Sequence, residues 1–218
     1  MKKLLLFGIL CSICFCVKAQ EFPGSFQTIG VSYHPMNLVI SAADEKQSGT
    51  LNGIGLSWTN ANALSSAVPL YIQYGVSGQY SFTNEQQKIG SWSSSTKIHF
   101  LSFKAPVELT YRLLIPGSRF YVAPYAEVDA AVYALGRINS SYRGDSASES
   151  STIDVFTQTS EYGDKLNRFN LDWHAGIKLF FNRFLVGASY EGPIIGLYRK
   201  NEVKIHTSQV NLSIGLAF

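Results

Sequence analysis

Residues 20–218 contain no cysteine. The three cysteines of the chain, Cys11, Cys14 and Cys16, all lie within its first 19 residues. Disulfide bonds, thiol catalysis and cysteine-ligated zinc are therefore excluded from everything that follows residue 19. Any chemistry in that part of the chain must use other side chains.

Surplus positive charge is also missing after residue 19. Three of the 18 basic residues lie in residues 1–19, which leaves 15 basic side chains against 15 acidic ones. A nucleic-acid-binding domain carries a clustered excess of basic charge. We therefore expect no nucleic-acid partner.

Long apolar runs are absent from residues 20–218, so the sequence predicts no transmembrane helix there. Residues 1–19 combine a basic start, Lys2 and Lys3, with an apolar stretch from Leu4 to Val17. This pattern, ending at the small residue Ala19, is that of a secretory signal peptide. We expect cleavage after Ala19, export of the chain, and one domain over residues 20–218.

What the chain does contain is apolar residues with a period of two. In residues 209–218 one face carries Val210, Leu212, Ile214, Leu216 and Phe218, while the other face is polar or small. Such alternation predicts a β-strand with two different faces. Seven further segments alternate with varying clarity, at 26–34, 51–59, 69–82, 98–113, 119–134, 168–181 and 184–191.

The connections between these eight segments alternate in length. Short links at 61–68, 116–118 and 182–183 are separated by longer or polar ones at 35–49, 84–95 and 140–165, with a tip at 199–202. Short turns at one end and longer loops at the other predict an eight-stranded antiparallel, up-and-down transmembrane β-barrel. The 140–165 loop is acidic. Solubility is its favoured role, and calcium binding and adhesion remain alternatives.

Charge placement predicts which face of each strand points inward. Charged residues fall on the face that is otherwise rich in Gly, Ser, Thr and Gln, and hydrocarbon excludes charge from the other face. We expect these side chains to pair and plug the interior, with a narrow small-solute channel as the alternative and with no metal or cofactor. The predicted interior charges are Lys104, Glu108, Arg112, Glu127, Asp129, Asp172, Lys178 and Glu191.

Aromatic residues bunch beside the short turns, where they would form a girdle at the lipid interface. Two prolines, Pro106 and Pro124, fall inside predicted strands. Because proline removes a ladder donor, we expect a bulge or register shift near each. The predicted interfacial aromatics are Trp58, Tyr111, Phe120, Phe181, Phe184 and Phe218.

The signal peptide, the eight alternating strands and the terminal Phe218 resemble those of small outer-membrane β-barrels, such as the OmpX/OmpA-type barrels and the PorT-like barrels of Bacteroidetes. The resemblance covers residues 20–218, but its motifs are diffuse. It implies a Gram-negative outer membrane, contact with its lipid and lipopolysaccharide, and recognition of Leu216 and Phe218 by the barrel-assembly machinery. Ser213 departs from the glycine that the usual assembly signal prefers.

The same resemblance implies a non-enzymatic role in envelope integrity, in surface interaction, or in assembly of an envelope system with a protein partner. One enzymatic alternative is a lipid A acyl hydrolase of the PagL type, because His206 and Ser208 share a strand face and could act as base and nucleophile. Gln209 stands where those enzymes have asparagine. His34, His99 and His174 lie on separate strands without metal-ligand spacing.

Overall fold

The computed structural model describes residues 24–42, 45–66, 68–89, 92–144, 148–157, 165–200 and 203–218. The predicted signal peptide, residues 1–19, lies outside these ranges. The described residues contain no helix long and apolar enough to cross a membrane. Their regular secondary structure consists of β-strands alone.

The strands are antiparallel and follow one another along the chain. They are β1 Ser25–Tyr33, β2 Met36–Ala42, β3 Glu45–Ala63, β4 Leu70–Ile89, β5 Trp92–Tyr111, β6 Leu113–Leu114, β7 Phe120–Arg143, β8 Ser148–Asp154, β9 Phe169–Phe181, β10 Phe184–Ile195, β11 Tyr198–Lys200 and β12 Val203–Ala217.

The sheet closes on itself. β1 pairs with both β12 and β3, and β2 continues the same two pairings beyond the break at His34 and Pro35. β1 and β2 therefore form one strand of the ring, and the others follow in the order β3, β4, β5, β7, β9, β10 and β12. This confirms the predicted eight-stranded antiparallel barrel. Within the described residues, each strand of the ring pairs with a neighbour on both sides, as a lipid environment requires.

The two ends of the barrel differ. Both described chain termini lie at one end, which we call the turn end, together with residues 64–66, 68–69, 115–119 and 182–183 of the connections. Gly117 and Asn182 adopt positive φ angles of 75° and 54° in two of these turns, the backbone region that glycine and asparagine tolerate best. The opposite end, where β2–β3, β4–β5, β7–β8 and β11–β12 reverse direction, is the hairpin end.

Much of the chain expected to form long loops at the hairpin end is strand, so that expectation is wrong for residues 36–42, 84–89, 92–95 and 148–154. Residues 158–164 of the acidic segment lie outside the described residues. β4 and β5 remain paired as far as Ile89 and Trp92, and β7 pairs with β8 as far as Arg143 and Ser148. Serine, threonine and glutamine in these segments suggested loops, but backbone pairing satisfies the peptide groups whatever the side chains. The hairpins therefore project as ordered ribbons.

The outside of the barrel is apolar and the inside is mostly polar. Along β12, Val210, Leu212 and Ile214 are exposed, whereas the alternate residues Gln209 and Asn211 are buried. The other ring strands repeat this alternation. An apolar outer surface around a polar interior is the arrangement of a barrel that spans a membrane.

The two strand prolines cause no register shift, contrary to expectation. The β4–β5 ladder stops at Tyr74–Val107 and resumes in the same register at Ser77–Lys104, so Pro106 leaves only a local gap. Pro124 pairs with Ile177 in an uninterrupted ladder. A slip of one residue would turn interior charges toward lipid, so the register is held on both sides of each proline.

Register shifts occur instead at two other places. One lies between Leu101 and Ser102, where Ala134 of β7 is the extra residue. This extra residue shifts the alternation of β7 by one position. As a result Tyr133, before it, and Gly136, after it, both face inward. The other lies between Pro193 and Ile195 near the hairpin end of β10.

Gly75 provides a test of how closely the strands pack. A Cβ atom at Gly75 would lie 2.0 Å from the Trp58 carbonyl oxygen, whereas one at Gly78 would come no closer than 3.6 Å, to the Phe103 ring. We expect Gly75→Ala to lower the free energy of unfolding by about 1–3 kcal/mol through overpacking. Urea unfolding in lipid vesicles measures this. Gly78→Ala on the same strand is the control, and equal unfolding midpoints for the two variants would contradict the packing.

Candidate functional site

The barrel interior is filled in three layers. At mid-height lies a set of charged side chains, the central ionic cluster, and an apolar cluster lies on each side of it. The central ionic cluster consists of Lys104, Glu108, Glu127, Asp129, Asp172, His174, Lys178 and Glu191.

Lys104 is the most connected cation of the central ionic cluster. Its Nζ lies 2.6 Å from Glu191 Oε1 and 3.3 Å from Asp129 Oδ2, and its side chain is only 2% exposed. The three residues come from β5, β10 and β7. One ammonium group thus neutralises two carboxylates and ties three strands together across the interior.

Glu108 forms a second centre of polar contacts. Lys178 Nζ lies 2.6 Å from Glu108 Oε1 and 2.5 Å from Oε2. Gln73 donates an amide hydrogen bond of 2.8 Å to the same carboxylate, and the Thr110 hydroxyl also donates to it. Lys178 additionally lies 4.5 Å from the centre of the Tyr125 ring. A buried charge saturated in this way is stable inside a barrel.

His174 joins the two halves of the cluster. Its Nδ1 lies 3.6 Å from Glu127 Oε1, and its Nε2 lies 2.7 Å from Asp129 Oδ2 and 3.1 Å from Glu191 Oε2. Three carboxylates therefore surround one imidazole. The predicted interior set did not include His174, although its place on the polar face of β9 was a usable signal.

Neutral amides complete the polar layer. Gln209 donates to Glu191 and, at 3.2 Å, to Gln79. Asn170 donates to Asp172 at 2.8 Å. In the sequence these amides alternate with apolar residues just as the charges do. The alternation therefore places them on the polar, inward face of their strands. Sequence alone did not show which carboxylate each amide serves.

Arg112 does not join the carboxylates, which corrects its expected place in the interior charge network. Its guanidinium carbon lies 4.4 Å from the centre of the Phe180 ring and 4.6 Å from the centres of the Phe26 and Tyr121 rings. The Tyr71 ring is 5.7 Å away. Arg112 is thus a cation held among aromatic faces at the turn end. The sequence did not indicate this contact, because the rings lie on the strand faces that were expected to be polar.

The apolar cluster around Arg112 at the turn end has as buried members Phe26, Ala61, Tyr71, Ala123, Phe180 and Leu185. A second apolar cluster closes the hairpin end of the interior. Its buried members are Met36, Leu51, Phe100, Tyr133, Val155, Phe156 and Leu197. Val155 and Phe156 follow β8 directly, so the chain beyond that strand packs back into the barrel. The expectation that polar side chains alone plug the interior is therefore incomplete, since apolar residues cover both sides of the ionic layer.

The predicted interfacial aromatics face outward, with Tyr111 half-buried and the other five exposed. Phe120 and Phe181 stack with their ring centres 4.6 Å apart at the turn end. Trp58 lies five residues before the end of β3, and its Nε1 donates to Gln27. Outward-facing rings near this end, together with the polar contact of Trp58, suit the boundary between lipid and water.

The remaining histidines are scattered. His206 and Ser208 are half-buried and share the outward face of β12 with Val210. His99 accepts or donates a 2.7 Å hydrogen bond with the Tyr80 hydroxyl on the outside, whereas His34 is buried inside. The structure therefore does not bring His34, His99 and His174 together.

Several solved structures have a similar arrangement of strands. The attachment invasion locus protein Ail of Yersinia pestis is 15% identical with a TM-score of 0.43, over 90% of this chain and 100% of Ail. The chain resembles small outer-membrane β-barrels. Neisserial surface protein A is 14% identical with a TM-score of 0.38, over 90% of this chain and 98% of that protein.

A third similar structure is the N-terminal β-barrel domain of Pseudomonas aeruginosa OprF. It is 12% identical with a TM-score of 0.28, over 87% of this chain and 97% of that domain. No protein-family description matches the sequence, and no curated protein matches it significantly. The barrel assignment therefore rests on the closed ladder and the apolar outer face. The narrower resemblance to PorT-like barrels stays a prediction.

Replacing Lys104 tests the ionic layer. Lys104→Met leaves Asp129 and Glu191 buried without their shared cation, so we expect the free energy of unfolding near neutral pH to fall by about 3–5 kcal/mol. Urea unfolding in lipid vesicles measures the loss. Lys97→Met, at an exposed position of the same strand, is the matched control and should change little. Equal effects of the two substitutions would show that the Lys104 ion pairs are unimportant.

Replacing Arg112 tests its contacts with the surrounding aromatic rings. We expect Arg112→Ala to destabilise the barrel by about 1–3 kcal/mol, because it removes a desolvated cation–π contact and leaves a void. The central ionic cluster remains in place in this variant, so ion conductance in a planar bilayer should stay near zero. A folded variant with large, steady openings would show that Arg112 itself closes the interior.

Proposed function

We propose that this protein is a non-enzymatic outer-membrane barrel whose sealed interior supports hairpins that act at the cell surface. Three features support the proposal: the apolar outer face, the filled interior and the ordered ribbons at the hairpin end. The observation that carries it is the contrast between the two regions. The interior is occupied by paired side chains, whereas the hairpins expose a surface with open clefts.

The filled interior argues against transport. The cavity within the ionic layer has a volume of about 110 Å³. It lies between the two apolar clusters described above. A hydrated ion or small solute would have to separate buried ion pairs to pass, and such separation is costly. A narrow channel is therefore the weaker alternative.

The hairpin end offers a surface suited to recognition. A cleft of about 570 Å³ there is lined by hydroxyl, amide and cationic side chains that include Gln86, Lys88, Ser95 and Arg143. Beside it, the exposed rings of Trp92 and Tyr142 pack with their centres 5.2 Å apart. Exposed aromatic residues next to convergent polar groups are typical of binding sites. We infer that the hairpins contact a surface partner.

The other partners follow from location. Lipid and lipopolysaccharide would contact the apolar outer face, and the barrel-assembly machinery would read the last strand, where Leu216 and Phe218 both face outward. An envelope protein is the partner class that we propose for the hairpins. The balanced charge supports no nucleic-acid partner.

Acyl hydrolysis has little support in the geometry. His206 and Ser208 face outward on β12, opposite Val39 and Asn37 of β2. The buried carboxylates Glu108, Asp129, Asp172 and Glu191 lie on the inner face instead, and Glu202, which is close to His206 in the sequence, lies outside the described residues. We therefore propose no enzymatic activity, and unchanged lipid A acylation in cells that express the protein would agree with this.

Cysteine labelling tests the surface exposure that the proposal requires. Residues 20–218 lack cysteine, so one introduced thiol reports a single position. We expect Ser94→Cys, in the hairpin-end cleft, to react with a membrane-impermeant maleimide on intact Gram-negative cells. Ser118→Cys, in the connection at 115–119, should react only after the outer membrane is permeabilised.

The two variants control for each other, because both serines lie outside the hydrocarbon-facing belt. Fold is checked by the different electrophoretic mobility of heated and unheated barrel. Labelling of Ser118→Cys on intact cells, with protection of Ser94→Cys, would show that the barrel has the opposite orientation in the membrane and would contradict the proposal. Protection of both until the inner membrane is broken would exclude the outer membrane.

A further inference from the structure

The central ionic cluster contains more negative than positive charge. Its five carboxylates face two lysines and one histidine, since Arg112 lies apart among aromatic rings. The carboxylates also stand directly opposite one another in the ladders. Glu108 pairs with Glu127, and Asp129 pairs with Asp172. Like charges in such cross-strand positions repel, so the cluster has a deficit of cations.

Three of these residues are arranged as ligands. One potential ligand atom from each of Glu127, Asp129 and His174 lies within 4.8 Å of the other two. Glu127 and Asp129 lie two residues apart on β7, so their side chains are on the same, inward face of the strand. His174 contacts both carboxylates.

Unsatisfied oxygen atoms lie at the same place. Asp129 and Asn211 both line the 110 Å³ cavity inside the barrel. Among the described residues, Asp129 Oδ1 and Asn211 Oδ1 are buried without a hydrogen-bond partner, although the Asp129 side chain is 98% buried. Lys104 contacts the other oxygen, Oδ2. Asp129 therefore presents a free oxygen in a polar chamber.

We propose that Glu127, Asp129 and His174 bind one divalent transition-metal ion inside the barrel. One imidazole nitrogen with carboxylate oxygens is a ligand set suited to Zn²⁺ or Mn²⁺. The ion's two charges offset most of the excess negative charge of the cluster. Asn211 Oδ1 is a further oxygen beside the site. The ion would cross-link β7 and β9 inside the barrel.

Metal retention by the intact barrel tests this proposal. The full mature chain is refolded in detergent with Zn²⁺, or in parallel with Mn²⁺, and then dialysed against metal-free buffer. We expect one retained ion per barrel and a higher urea midpoint than for barrel refolded with a chelator. X-ray absorption of the zinc-loaded wild type should show oxygen ligands and one imidazole.

Variants identify the ligands. We expect Asp129→Asn and His174→Gln each to weaken metal binding at least about tenfold, the range seen when groups around a metal are disturbed. His99→Gln, which changes a histidine outside the barrel, should bind as the wild type does. If a ligand variant fails to fold, the absorption spectrum of the wild type decides alone.

Three outcomes would overturn the proposal. The first is a barrel that retains neither Zn²⁺ nor Mn²⁺. The second is an absorption spectrum without imidazole. The third is undiminished binding in folded Asp129→Asn and His174→Gln, which would place the ion at another site.

Discussion

The ion pairs of Lys104 are the interaction on which the rest of the interior depends. Its ammonium group neutralises Asp129 and Glu191 from two other strands while almost wholly removed from water. A buried charge is tolerated only with such partners. The three strands are therefore held in one register, and His174, which contacts both of these carboxylates, is positioned by the same arrangement.

The membrane imposes the complementary constraint on the outside. Apolar residues occupy alternate positions of the strands, and in the part of the chain that the structure describes each ring strand pairs on both sides. Inside, the aromatic cluster around Arg112 covers the turn end, and the cluster around Phe100 covers the hairpin end. Ion pairs between two apolar clusters are shielded from water, which strengthens them. The layers thus reinforce one another.

Much of this could be predicted from the sequence, because strand alternation has a period of two. It predicted the eight strands and the outward face of β12. The partner of Lys104 was not predictable, since Glu191 lies 87 residues away and only the register of the closed ring brings the two together. Arg112 was misplaced because Phe180 and its neighbouring rings lie on the inner face. Hairpins rich in serine were mistaken for loops because composition does not reveal backbone pairing.

If paired side chains seal the interior, ions should not cross the folded barrel. Single-channel recording of the purified, folded barrel in a planar bilayer measures this. We expect no conductance, with insertion shown independently by protease protection and heat-modifiable migration. Sustained, discrete openings from that same preparation would show instead that the ionic layer lines a conducting path.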